Sequence, residues 1–151
     1  MKVCRYDELN EKQKELADIA KEQTKNSYSP YSHFCVGAAL RLSNGLIIRG
    51  SNQENAAYPS GLCAERTALF SAGALYPDQA VESLAIACYT NGQFTRLPGS
   101  PCGACRQVMT ETEHRYSGNM EVILYGEDEI YVFESAKDLL PLIFVSENLE
   151  G

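Results

Sequence analysis

Apolar residues recur at helical spacing between residues 8 and 24, where Leu9, Leu16, Ile19 and Ala20 share one face. Asp7 stands before that stretch as a capping residue, so the pattern predicts a first helix packed on a sheet. The period then changes. Residues 36–42 and 46–50 read as strands joined through Ser43-Asn44-Gly45, because Asn-Gly favours the tight turn of a hairpin. Residues 62–75 return to helical character, opening near Cys63. Residues 84–89 are continuously apolar, the mark of a strand covered on both faces. A further helix is predicted over 102–115, followed by strands at 121–125 and 130–133. Residues 139–144 are apolar but carry Pro141, which limits them to a short helical or irregular segment. Residues 26–33 are rich in turn formers and read as an ordered loop, and residues 76–83 and 90–99 read as connections. The order α-β-β-α-β-α-β-β predicts a three-layer α/β/α sandwich around a five-stranded mixed sheet, in one domain over residues 1–151.

Composition agrees with a packed core: 44% of the 151 residues are hydrophobic and 22% are charged. Thirteen Lys and Arg against 20 Asp and Glu leave a net charge of −7, with no basic run along the chain. Such a balance repels a phosphate polymer, so no nucleic-acid partner is expected and the substrate is expected to be small. No apolar run approaches the roughly 18 residues of a membrane span. The opening residues, Met1 to Asp7, lack the apolar stretch of a secretory signal, and a cytoplasmic protein is expected. In that setting, six cysteines favour metal binding or catalysis over disulfides. Cys4, Cys35 and Cys88 read as small buried hydrophobes or free thiols.

The other three cysteines carry the candidate chemistry. Cys63-Ala64-Glu65 and Pro101-Cys102-Gly103-Ala104-Cys105 offer three thiolates and one carboxylate that is not needed as a ligand. A structural zinc site closes with four protein ligands, whereas a catalytic one keeps a position for water or substrate. Three sulfurs with an acid beside them therefore point to a zinc-activated water with its own proton shuttle, one zinc per chain. If each cluster opens a helix, the two helix N-termini converge on the metal. Three thiolates leave the zinc with a first-shell charge of −1, which weakens it as a Lewis acid. A helix N-terminus offsets this by only about 0.3–1 kcal/mol. Arg66, directly after the Cys-Ala-Glu run, is the candidate cation to hydrogen-bond a thiolate and neutralise it. Glu65, two residues beyond a ligand, can take a proton from the water and return it to the leaving group.

The run Cys63-Ala64-Glu65, with Pro101-Cys102-Gly103-Ala104-Cys105-Arg106-Gln107, resembles the small, three-cysteine cytidine deaminases. The likeness extends to Tyr31-Ser32-His33-Phe34-Cys35-Val36-Gly37, to Asn52-Gln53-Glu54-Asn55-Ala56-Ala57-Tyr58 and to the tail from Leu139 to Phe144. The resemblance implies the deaminase-like sandwich, one Zn2+, a nucleoside substrate and a homotetramer. It implies that Phe34 packs against the pyrimidine and that Asn52 and Glu54 bind the ribose 3′-hydroxyl. Residues at i and i+2 of an extended segment point to one side, so those two side chains can face one sugar. It further implies that the Ala56 and Ala64 backbone and Tyr58 complete the pocket, and that Phe144 caps a neighbouring subunit's site. Cys35 stands where the family often has Pro, and Leu142-Ile143 precede Phe144 where small residues are common.

The function implied is hydrolytic deamination of cytidine and 2′-deoxycytidine in pyrimidine salvage. Another cytosine-bearing substrate, such as a nucleoside antibiotic, fits the same residues. A structural zinc or interaction module would need a fourth ligand from Cys4, Cys35 or Cys88. A dithiol oxidoreductase would use Cys102 and Cys105 but gives no role to Cys63-Ala64-Glu65.

Overall fold

Strands β2 (Cys35–Leu42) and β4 (Val81–Thr90) pair antiparallel at the centre of the sheet and divide their side chains between two layers. Gly37, Ala39, Ala85 and Ala87 face one side, where their small size lets helix α1 (Glu11–Gln23) approach closely through Ala17 and Ala20. Ala38, Leu40, Leu42, Leu84 and Ile86 face the other side, against helices α2 (Ala64–Leu75) and α3 (Gly103–Tyr116). Both cores follow from the two-residue period of a strand covered on both faces. This computed structural model describes residues 1–150, so Gly151 of the expected domain lies outside the described residues.

The remaining strands are β1 (Lys2–Cys4), β3 (Ile47–Ser51), β5 (Gln93–Phe94), β6 (Glu121–Leu124) and β7 (Ile130–Phe133). They lie in the order β1-β7-β6-β4-β2-β3, with β5 also pairing β4. Among the described residues only β4 and β6 are parallel neighbours; the other strand pairs are antiparallel. The α/β/α layering is as expected, but among the described residues the sheet has seven strands rather than five. The two extra strands have three and two residues, too short for a hydrophobic period to mark them.

The helices start where local chemistry is best satisfied. Asn10, not Asp7, caps α1: its Oδ1 accepts from Gln13 N at 2.9 Å, and Gln13 Oε1 accepts from Asn10 N at 3.0 Å. That reciprocal box outcompetes Asp7, which lies in a 3₁₀ turn. The connection at 76–83 is shorter than expected, because β4 already starts at Val81. Near the C-terminal end of α3, buried Glu113 accepts from Met120 N, Ala136 N and Ser135 Oγ at 2.8 to 2.9 Å. The apolar tail over 139–144 is irregular beyond Leu139, lying between short 3₁₀ turns at Ala136–Leu139 and Ser146–Leu149.

The connectivity places the chemistry. Strands β3 and β4 both run antiparallel to β2, which lies between them, so they share a direction. Helix α2 leaves the end of β3 and α3 follows the end of β4, so the two helices start at the same edge of the sheet. In open α/β sheets this C-terminal edge is where sites form. Gly50 in β3 sets the depth of α2: a Cβ there would lie 2.5 Å from Ala64 O. No helix among the described residues is long and apolar enough to cross a membrane.

Candidate metal centre and active site

Cys63 is the N-cap of α2 and Cys102 the N-cap of α3, and neither uses its side chain to cap the helix. Both sulfurs are thereby free for another partner at a positive helix end. Cys105, in the first turn of α3, is fully buried and turns its sulfur to the same point. The three Sγ atoms lie within 4.8 Å of one another, and Cys63 and Cys102 are 3.9 Å apart. A tetrahedral zinc with Zn–S bonds of about 2.3 Å spaces its sulfurs at about 3.8 Å, so the spacing fits that ion. Among the described residues no other His, Cys, Asp or Glu joins the group; Cys4, Cys35 and Cys88 lie outside it.

Arg66 donates through Nη2 to Cys63 Sγ at 3.4 Å, and its Nε is buried without a partner. Hydrogen bonding to Cys63, then to Cys105, raises the guanidinium pKa further. A hydrogen bond from Cys105, with Arg66 and Cys102 adding, pulls the Cys63 thiol below its ordinary range. The same bond to Cys63, and burial, push Cys105 up.

Glu65 is 5% exposed and lies on the wall of a cavity of about 290 Å3 with Cys63 and Cys102. Burial raises its pKa above the ordinary glutamate value, and the charge of Cys63 adds to this. Phe34, Val36, Asn52, Ile86, Cys88, Gly99 and Ser100 complete the wall. A second cavity of about 350 Å3 shares Asn52 and Cys63 with the first and adds Glu54, Tyr58 and Arg66.

Asn52 and Glu54 both reach back to the loop before β2. Asn52 Oδ1 accepts from Val36 N at 2.8 Å and from Ser27 Oγ, while Nδ2 donates to Phe34 O at 2.9 Å. Glu54 Oε1 accepts from Tyr31 N and Ser32 N, each at 3.2 Å. These protein contacts leave Asn52 one free N–H and Glu54 one free oxygen.

Eight of the twelve residues singled out from sequence line one or both cavities: Phe34, Asn52, Glu54, Tyr58, Cys63, Glu65, Arg66 and Cys102. Cys105 and Ala64 are buried at the helix starts. Ala56 and Phe144 line neither cavity. Gln107 Nε2 donates to Phe144 O at 2.8 Å, while the Phe144 residue is 57% exposed. Arg106 donates to Pro101 O at 2.9 Å and to Leu139 O at 2.8 Å, tying the start of α3 to the tail. Sequence reasoning missed Val36, Ile86, Cys88, Gly99 and Ser100 as wall residues. Val36 is two positions from Phe34, and Ile86 and Cys88 share a face of β4, so alternation could have found those three.

Residues 10–117 match the family model described as the cytidine and deoxycytidylate deaminase zinc-binding region. The chain is 42% identical over 138 residues to a cytidine deaminase of Halalkalibacterium halodurans, covering 89% of this chain and 95% of that one. It is 40% identical over 132 residues to the cytidine deaminase of Sporosarcina psychrophila, covering 86% and 89%. The crystal structure of cytidine deaminase from Burkholderia pseudomallei superposes with a TM-score of 0.73 at 39% identity, over 90% of this chain and 100% of that one. Two helix starts that bring three sulfurs together now have relatives of matching length and fold, and the chain belongs to the cytidine and deoxycytidylate deaminase family.

Proposed function

We propose that this chain hydrolyses cytidine and 2′-deoxycytidine to uridine and 2′-deoxyuridine, releasing ammonia, as one deaminase domain in pyrimidine salvage. The observation that carries the reading is the three-sulfur cluster beside a buried acid that is not part of it. Cys63, Cys102 and Cys105 would hold one zinc per chain. When bound, the metal supplies the activation of a water for attack at C4 of the pyrimidine. Glu65 takes a proton from that water, delivers it to ring N3, and then moves a second proton to the departing amine. Burial suits the first half of the task, because a carboxylate with a raised pKa takes up the proton more readily. Arg66 neutralises the sulfur charge.

The free groups of Asn52 and Glu54 support a hydroxyl as their ligand. One donor and one acceptor complement a group that both accepts and donates, as the ribose 3′-hydroxyl does. A 3′-phosphodiester lacks that proton and brings negative charge toward Glu54, which argues for free nucleosides over polymers. Phe34 packs on the base, with the Ala56 and Ala64 backbone and Tyr58 completing the pocket. Tyr58 is 77% exposed and Leu142 is 91% exposed, surfaces consistent with a homotetramer in which Phe144 reaches a neighbouring site. The protein is taken to act in the cytoplasm.

Incubating the zinc-loaded protein with cytidine, free cytosine, a cytosine-bearing antibiotic and a short single-stranded oligonucleotide tests the reading. Equal molar release of ammonia and uridine from cytidine is expected, with little from the other three. No ammonia from cytidine would overturn it.

A further inference from the structure

Ser27 lines neither cavity of the site, yet its hydroxyl reaches the side chain of Asn52. A serine hydroxyl has one proton, and an amide oxygen can only accept. Val36 N fixes which end of Asn52 is the oxygen, so Ser27 donates its proton to Oδ1. Ser27 Oγ lies 3.1 Å from Ser29 Oγ, and Ser29 Oγ lies 3.3 Å from Cys35 Sγ. Ser27 Oγ is placed to donate to either Asn52 Oδ1 or Ser29 Oγ, and the shorter contact, to Asn52, takes its one proton. Ser27, Ser29 and Cys35 form a line of polar contacts that ends on Asn52. All three lie behind Asn52, in the loop before β2 and at the first residue of that strand.

We propose that Ser27 is a positioning residue for the sugar contact. Its hydrogen bond, backed by Ser29 and Cys35, holds the Asn52 amide so that its one free N–H meets the 3′-hydroxyl. The inference rests on the sugar-binding role proposed for Asn52. Phe34 O and Val36 N set the direction of the amide plane. Ser27 supplies the third contact that stops the plane from rocking about those two.

The test is steady-state kinetics of the zinc-loaded enzyme with cytidine and 2′,3′-dideoxycytidine. Loss of one neutral hydrogen bond in Ser27→Ala is expected to raise KM for cytidine about three- to tenfold. Because ground state and transition state lose the same contact, kcat should stay within about twofold. The same substitution should leave the dideoxynucleoside unaffected, a selectivity that general loosening of the fold does not produce. Ser27→Thr, which keeps the hydroxyl, should restore the cytidine KM. Ser29→Ala, which removes only the backing, should raise it less and with the same selectivity. An unchanged KM in Ser27→Ala, or an equal rise for both nucleosides, overturns the inference. Asn52→Ala separates the two levels: if it affects both nucleosides equally, the sugar contact fails and the inference with it. If Asn52→Ala shows the selectivity and Ser27→Ala does not, only the role of Ser27 falls.

Discussion

Arg66, in the first turn of α2, has its Nη2 3.4 Å from Cys63 Sγ. A cation occupies the first turn of a helix, where the macrodipole favours acids. The mismatch is explained by the sulfurs, which bring more negative charge to that point than the helix end can offset. Arg66→Gln should therefore lower zinc affinity or turnover about 10- to 100-fold, the usual cost of losing a partner of a metal ligand. Zinc titration by competition with a chelator, alongside ammonia release, reads both. Unchanged affinity and turnover would remove Arg66 from the account.

Glu65→Gln keeps the size of the side chain but cannot carry a proton. The variant should bind one zinc per chain and melt near the parent temperature, while kcat falls at least about 10²–10⁴-fold. Metal analysis, thermal melting and an ammonia assay check the three parts. Near-normal turnover would reject Glu65 as the shuttle.

Gly99 and Cys88 share a wall of the first cavity, and a Cβ at Gly99 would lie 2.5 Å from Cys88 Sγ but 3.6 Å from Cys88 Cβ. Gly99→Ala should lower both stability and turnover, and adding Cys88→Ala should recover part of the loss. The coupling between the two changes should be on the order of 1 kcal/mol by denaturant unfolding. Strictly additive effects would show that Cys88 does not set the size of residue 99.

Tyr6 donates its phenol to Asp18 at 2.6 Å, and that bond, followed by burial, raises its pKa to about 12. The folded chain holds the proton more tightly than the unfolded one. This contribution is complete below about pH 10 and is lost as pH rises through the folded value. Tyr6→Phe should therefore lower Tm most below that pH, with the gap closing toward strongly alkaline pH. A gap that stays constant across the range would contradict the sign.

The three-sulfur cluster was the most legible part of the chain, because three cysteines and an acid at helix starts need no long-range information to be noticed. The layers were legible too, since β2 and β4 carry a clear period. Strands β1 and β5 were not, being too short to hold one. Asp7 and Asn10 are both good caps, and only the reciprocal bond from Gln13 decides between them. Asn52 and Glu54 were read as facing one sugar. What could not be read is that each first satisfies backbone groups of the 31–36 loop, leaving one donor and one acceptor. Gly99 against Cys88 was equally hidden, because a contact between a strand and a later loop has no period.

The most direct test of the three-sulfur centre is zinc-edge X-ray absorption of the purified protein at one zinc per chain. The account predicts three sulfur neighbours at about 2.3 Å and one lighter oxygen or nitrogen neighbour. Four sulfurs, or no tightly held zinc at all, would contradict it.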